Sequence, residues 1–366
     1  MAQEDRSIEI GGAPVVTLES PAPADADRPA FLSAQALPGR GMTTLQIRAH
    51  LPSRGATDLL EAPPLEEARA FFDENPDEFQ GNRSYLVGGA ILLPYANRIR
   101  GRLAPDGRTV ETEVLGRTVH LPANSGGRRP GAERYSMHGL LLDARPDDLR
   151  HRTSDGEDRV TAAYRPGDFG GRWPSATEVT IENVLRSDSF TLTVTARNTG
   201  GGPLPLGIGW HPYFALPAGP RQQARMRIPA RGRAIVNDYD EVLPTGEVEP
   251  VADTPYDFSM PGGRSLGDLY LDDCFVDLER TAAGEVIAEV VDPAAAYGLR
   301  VVADSPFIRA IQVFAPPHRQ IVVLEPQFNR ADPFGAQWGE GADTGMAILA
   351  PGESAFYSAR LELFVP

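Results

Sequence analysis

From about residue 31 onward, hydrophobic and polar positions alternate with the two-residue period of β-strands. In Thr191–Arg197 the residues Leu192, Val194 and Ala196 fall on one face and threonines on the other. The segment 178–185 has the same pattern, and the intervening Arg-Ser-Asp-Ser supplies turn residues, so the two predict a hairpin. Segments 98–104 and 108–116 flank Pro105-Asp106-Gly107, a strong turn signal. Further strands are predicted at 43–50, 273–279, 285–291, 297–303, 308–314, 320–325 and 354–365. No helical crossover recurs between them, so the expected fold is all-β, a large antiparallel sandwich, formed by one domain over 31–366. One short helix is expected over 65–72, where Pro64 suits the first turn and acids cluster at the start. It lies in a segment, 61–82, that reads as an insertion between strands. Residues 1–30, rich in Pro, Ala and Asp toward their end, read as a flexible lead-in.

Composition narrows the chemistry. Glycine (37) and proline (34) are frequent enough to favour many short elements joined by turns. All 35 basic residues are arginine, which removes Schiff-base, P-loop and amine-base chemistry that needs lysine. A net charge of -15 disfavours nucleic acid and anionic membrane as partners. The single cysteine, Cys274, excludes an intramolecular disulfide and a cysteine-based zinc cluster, and reads as a small buried residue. The N-terminal segment has acids where a secretory signal needs basic and then apolar residues, and no apolar run approaches a membrane span. A cytoplasmic protein, monomeric or homodimeric, is the expectation.

Five places could carry chemistry. His211 lies in Gly207–Phe214, where two glycines bring the backbone close, Pro212 holds the histidine extended, and Trp210, Tyr213 and Phe214 offer flat walls suited to a sugar. An aromatic core corner with a satisfied histidine reads the same residues equally well. Glu325 follows four apolar residues and precedes a proline, at what looks like the end of a buried strand. Burial there would raise its pKa toward values useful to a base. Asp272 and Asp273 precede a strand, with one facing inward and the other outward. Asn97 and Arg98 enter a basic strand on which Arg98, Arg100 and Arg102 would share a face. His138 sits between a glycine-rich loop (124–131) and an apolar run. No short-range histidine pair points to a metal and no nucleophile elbow is present, so cofactor-free acid/base chemistry is expected.

Taken in order, LLPYANRI (92–99), MHG (137–139), GWHPYF (209–214), DDCF (272–275), IQVF (311–314) and LEPQFNRADPF (324–334) resemble the aldose 1-epimerase (mutarotase) family. The resemblance implies a β-sandwich with a carbohydrate cleft and no cofactor. It implies Glu325 as the base on the anomeric hydroxyl and His211 as the acid on the ring oxygen. It also implies that Asn97, Arg98, His138, Asp272 and Gln312 bind the sugar; spacing to Phe275 favours Asp272 over Asp273. Three other readings stay open: a hexose-6-phosphate 1-epimerase using Arg98, Arg100 and Arg102, a glycosidase using Asp272 and Glu325, and a non-catalytic sugar-binding module.

Overall fold

A computed structural model describes residues 8–20, 27–74, 79 and 81–366. Two large sheets face each other. The first runs Pro244–Pro250, Ala230–Val236, Leu271–Leu278, Ala310–Ala315, Ile321–Gln327, Gly209–Ala215, Gly89–Leu92, Thr43–Leu51, Ala30–Leu37, Val16–Glu19, with Gly55–Asp58 beside Thr43–Leu51, 11 strands in all. The second has 9 strands and is built around Glu157–Gly167, Thr177–Leu185, Ser189–Asn198, Ser354–Phe364 and Tyr297–Asp304. Neighbours within both run antiparallel. The fold is the antiparallel sandwich that the alternation predicts, including the hairpin of Thr177–Leu185 with Ser189–Asn198.

The core lies between the sheets. Phe190, Leu192, Val194 and Ala196 from the second sheet meet Trp210, Phe214, Phe275, Ile311, Val313, Val322 and Leu324 from the first. These apolar positions fall at every other residue, as a period-two strand requires. The remaining face of the first sheet is also covered at its centre. The strands Gly209–Ala215, Ala310–Ala315 and Ile321–Gln327 are buried almost throughout, so alternation fades where both faces are occupied.

One expectation needs correction. The lead-in is not a flexible tail over its whole length, because Val16–Glu19 pairs with Ala30–Leu37 and closes that edge of the first sheet. Ile10 and Leu18 are fully buried. Proline and alanine density described only part of the segment, and 21–26 lies outside the described residues. The helix is Leu65–Arg69 and continues as a wider, π-type turn over Ala70–Glu74. It buries Ala68 and Phe72 against Ile10, Leu37 and Leu45.

Candidate active site

A period of two also decides which side chains reach the outer face of the first sheet. Gln312 stands opposite Glu325, and Cys274 opposite Gln312. Pairings at Gly209–Gln327 and Tyr213–Val323 bracket His211 and Glu325 on adjacent strands. Between those two pairs the ladder is interrupted, and each strand there carries a proline, Pro212 or Pro326, which has no N–H to donate. The sheet is thus locally open where the imidazole and the carboxylate meet. His211 Nε2 lies 3.6 Å from Glu325 Oε2.

These residues floor a cavity of about 450 Å³ lined by Arg98, His138, His211, Asp272, Gln312 and Glu325, with Tyr85, Tyr213, Phe314, Arg128 and Arg319 among its walls and rim. Rings form a row along one side: Tyr85 to His138 at 4.9 Å, His138 to His211 at 5.0 Å, and His211 to Tyr213 at 4.9 Å between centroids. Tyr213 Oη donates to the Tyr85 carbonyl at 2.9 Å and closes that row.

A ring of polar contacts fixes the opposite side. Asn97 Nδ2 donates to Gln312 Oε1 at 2.9 Å, and Gln312 Nε2 donates to Asp272 Oδ1 at 2.7 Å. Arg98 donates to Asn97 Oδ1 at 2.9 Å and reaches Asp272 Oδ2 at 3.4 Å. A closed ring of this kind holds each member's rotamer through its neighbours. Asn97, itself a member of the ring, is fully buried and touches Arg98 and Gln312, which line the cavity.

Local backbone explains how loop residues reach the site. Asn97 and His138 both have left-handed φ values, 62° and 66°, which cost about 1–2 kcal/mol for a side-chain-bearing residue. Tertiary contacts hold them there. The His138 N–H donates to the Asn97 carbonyl at 2.9 Å, and Leu93 bridges Gly139 in parallel. Gly139 has φ 84°, and a Cβ there would lie 2.3 Å from the Leu93 oxygen. Asn329 accepts from the Ala96 N–H at 3.0 Å and donates to its carbonyl at 2.8 Å, while Asp332 Oδ1 accepts the Arg100 N–H at 2.9 Å. The segments LLPYANRI and LEPQFNRADPF are therefore one structural unit.

Electrostatics follow from burial. Glu325 is fully buried, and neither carboxyl oxygen has a hydrogen-bond partner. Desolvation pushes its pKa well above the usual carboxylate range, against the pull of the Arg98 guanidinium. Burial pushes His211 down to about 4, and holds His138 well below the ordinary imidazole value. Burial thus pushes the two groups in opposite directions, each toward its neutral form. Cys274, on the same face, is buried and its thiol is pushed up to about 12, so it is inert filling.

Several sequence expectations separate here. Asp272 faces the cavity, whereas Asp273 is turned to the other side, where Arg233 at 2.8 Å and the Tyr239 hydroxyl at 3.0 Å satisfy it. Trp210 and Phe214 face the core, leaving Tyr213 as the cavity wall of that segment. Arg98, Arg100 and Arg102 do not share a face, because the strand breaks after Ile99 and resumes at Arg102. Arg100 pairs with Glu133 and the exposed Arg102 with Glu111, both away from the cavity. Reasoning from the sequence missed Tyr85, Phe314, Arg128 and Arg319. Phe314 was within reach, since it lies two residues beyond Gln312 on the same strand. Arg128 and Arg319 sit in loops, whose direction periodicity does not set.

An all-β sandwich with a buried carboxyl–imidazole pair at the floor of a polar cleft is the frame of a carbohydrate-handling protein. The family described as Aldose 1-epimerase matches residues 48–362, and the chain belongs to that family. It is similar to the maltose epimerase of Levilactobacillus brevis, at 29% identity over 196 residues, which cover 50% of this chain and 54% of that protein. The chain thus spans about half the length of that relative. Solved structures with the same fold include a galactose mutarotase-like protein from Clostridium acetobutylicum, with a TM-score of 0.71 at 15% identity, covering 92% of this chain and 93% of the other. Galactose 1-epimerase from Lactobacillus acidophilus aligns with a TM-score of 0.65 at 15% identity, over 96% and 98% of the two chains.

Proposed function

We propose that the protein interconverts the α and β anomers of an aldose by opening and reclosing the sugar ring. The observation that carries this reading is Glu325: a fully buried carboxyl with both oxygens unpartnered, 3.6 Å from an imidazole and facing a sugar-sized cavity. Leaving such a group unsatisfied is costly, and the cost is offset when a ligand hydroxyl supplies the missing hydrogen bonds.

In the forward step the Glu325 carboxylate takes the proton of the anomeric hydroxyl. The C1–O1 bond becomes a carbonyl, the C1–O5 bond breaks, and O5 takes a proton from the His211 imidazolium. Glu325 is then protonated and His211 neutral. After rotation about C1–C2, O5 attacks the other face of the aldehyde. His211 recovers the O5 proton, and Glu325 returns its proton to O1. Total charge and proton count stay constant throughout.

Burial raises the pKa of Glu325 and lowers that of His211, so each group is pushed toward its neutral form. Sugar hydroxyls donating to Glu325 favour its carboxylate for the first step. One carboxyl and one imidazole exchanging protons with the sugar serve ring opening and ring closure alike. Arg98, Asp272, Gln312 and His138 would orient the sugar hydroxyls, with Asn97 holding Arg98 and Gln312 in place.

The test is exchange between anomeric signals in NMR, or the optical-rotation change of freshly dissolved α-aldoses, over a panel that includes maltose. Glu325→Gln and His211→Asn are each expected to lower kcat by about 10²–10⁴-fold while circular dichroism stays unchanged. Full activity in both variants would overturn the assignment of base and acid. Saturable sugar binding without any exchange would favour a non-catalytic module.

A further inference from the structure

The cleft is cationic at its rim in a protein whose net charge is -15. Five formally charged side chains line the cavity: Arg98, Arg128, Arg319, Asp272 and Glu325. Arg98 and Asp272 sit 3.4 Å apart and offset one another. Glu325 is kept for the chemistry at the floor. Arg128 and Arg319 remain, both opening onto the same cavity.

Their settings differ from those of the other arginines nearby. Arg129, the next residue to Arg128, pairs with Asp238 at 2.6 Å and Asp240 at 3.5 Å. Arg100 and Arg102 are likewise paired with carboxylates. Arg128 makes no hydrogen bond or ion pair among the described residues. Arg319 spends one donor on the half-exposed Glu61 at 2.6 Å, and its guanidinium lies over the Tyr213 ring, 5.3 Å from the centroid. A strip of aromatic rings joins the two places: Tyr213 lies 6.5 Å from Phe314, and Phe314 lies 6.5 Å from Tyr270. Arg319 stands at the Tyr213 end of the strip, while Arg128 is close enough to the Tyr270 hydroxyl for its charge to act on it.

We propose that the sugar bound in this cleft carries a negatively charged substituent, a phosphate or a carboxylate, which is recognised at the rim by Arg128 and Arg319. The inference rests on the epimerase reading above and names the substrate class of that same site. Tyr213 and Phe314 border the space for the apolar side of the sugar, and Arg98, Asp272 and Gln312 together with Glu325 and His211 receive its hydroxyl edge. An anionic group then projects toward solvent, where a guanidinium binds it through two parallel N–H donors. Among the described residues, Arg128 has no carboxylate partner, and Arg319 keeps donors beyond the one given to Glu61, whereas the charge of Arg98 is offset by Asp272. The sequence pointed to Arg100 and Arg102 for such a role, and both face elsewhere.

The experiment compares anomeric exchange by NMR for D-glucose, D-glucose 6-phosphate and D-glucuronate at fixed ionic strength. Expected is a kcat/KM at least tenfold higher for one of the two anions than for glucose, and which anion it is distinguishes phosphate from carboxylate. Arg128→Ala or Arg319→Ala is expected to reduce that preference tenfold or more, chiefly through KM, and the variant with the larger effect marks the end where the anion sits. Arg129→Ala, a neighbour engaged with Asp238, serves as the control and leaves the preference intact. Equal or better turnover of glucose, or a preference that survives in both variants, overturns the inference while leaving the epimerase reading standing. Absence of exchange with every sugar, neutral ones included, overturns the epimerase reading itself and this inference with it.

Discussion

Glu325 and His211 are ordinary residue types made unusual by where their side chains lie, and their opposite displacements give the protein a recognisable dependence on pH. For His211 the folded value of about 4 is below the ordinary imidazole value of 6.5. The native state therefore binds fewer protons than the unfolded chain between those values. The stabilisation is fully present above about 6.5 and is lost as pH falls toward 4. His211→Asn should lose about 2–3 kcal/mol less stability than the wild type when urea unfolding at pH 7 is compared with pH 4.5. Glu325 works in the reverse direction. Its folded value is raised, so its protonated form is the stable one, and stability falls as pH rises from the unfolded value of about 4.5 through the folded one. Glu325→Gln should flatten that alkaline slope. A variant pair whose pH profiles superimpose on the wild type would show that neither group is displaced as burial requires.

At the scale of the strand, the Leu271–Leu278 register does the sorting. Asp272 and Asp273 are chemically identical neighbours, yet the pleat sends one to the cavity and the other to a buried partner. Asp273→Ala leaves Arg233 only the exposed Glu249, at 3.6 Å, as a carboxylate partner and is expected to destabilise the fold by about 3 kcal/mol, the usual order for a broken buried pair, while KM for the sugar is retained. Asp272→Ala leaves the buried Arg98 without its carboxylate, so a loss of stability of the same order is expected, joined by a tenfold or greater loss in kcat/KM. Equal activity losses in the two variants would contradict the register. The loop Leu93–Ile99 shows the complementary case, in which no periodicity operates. There Asn329 and Asp332, more than 200 residues away, set the path of the backbone that delivers Asn97 and Arg98.

For the molecule as a whole, the first sheet depends on its edges as much as its centre. Val16–Glu19 caps the strand Ala30–Leu37, and Asp158 accepts the Glu19 N–H at 3.0 Å, which ties that edge to the second sheet. Removing residues 1–19 exposes the Ala30–Leu37 edge and forfeits the burial of Ile10, Val16 and Leu18, on the order of 5 kcal/mol of apolar transfer. A lower Tm and concentration-dependent aggregation are expected in calorimetry and light scattering, with kcat of the remaining folded protein near that of the full chain. An unchanged Tm would mean that the segment is dispensable to the sandwich.

Much of the architecture was present in the chain itself. Alternation is a local property, so Thr177–Leu185, Ser189–Asn198 and Ser354–Phe364 were legible as strands, and the absence of crossovers made them antiparallel. The motifs around Asn97, His138, His211, Asp272, Gln312 and Glu325 were legible too, because a family pattern is written in short contiguous words. What the chain did not state was direction and depth. It left Asp272 and Asp273 distinguished only by spacing, grouped Trp210 with Tyr213, and lined up Arg98 with Arg100 and Arg102. Tertiary structure decided these through strand register, through a strand broken after Ile99, and through loops whose course is fixed by residues hundreds of positions away. It also decided the direction in which burial moves the pKa of each member of the pair. Composition supplies a carboxylate and an imidazole, but only their joint burial at an interrupted ladder, with both Glu325 oxygens left unpartnered, moves their pKa values in opposite directions. Local pattern is short-range and survives in sequence, whereas desolvation and side-chain convergence exist only once distant segments have been brought together.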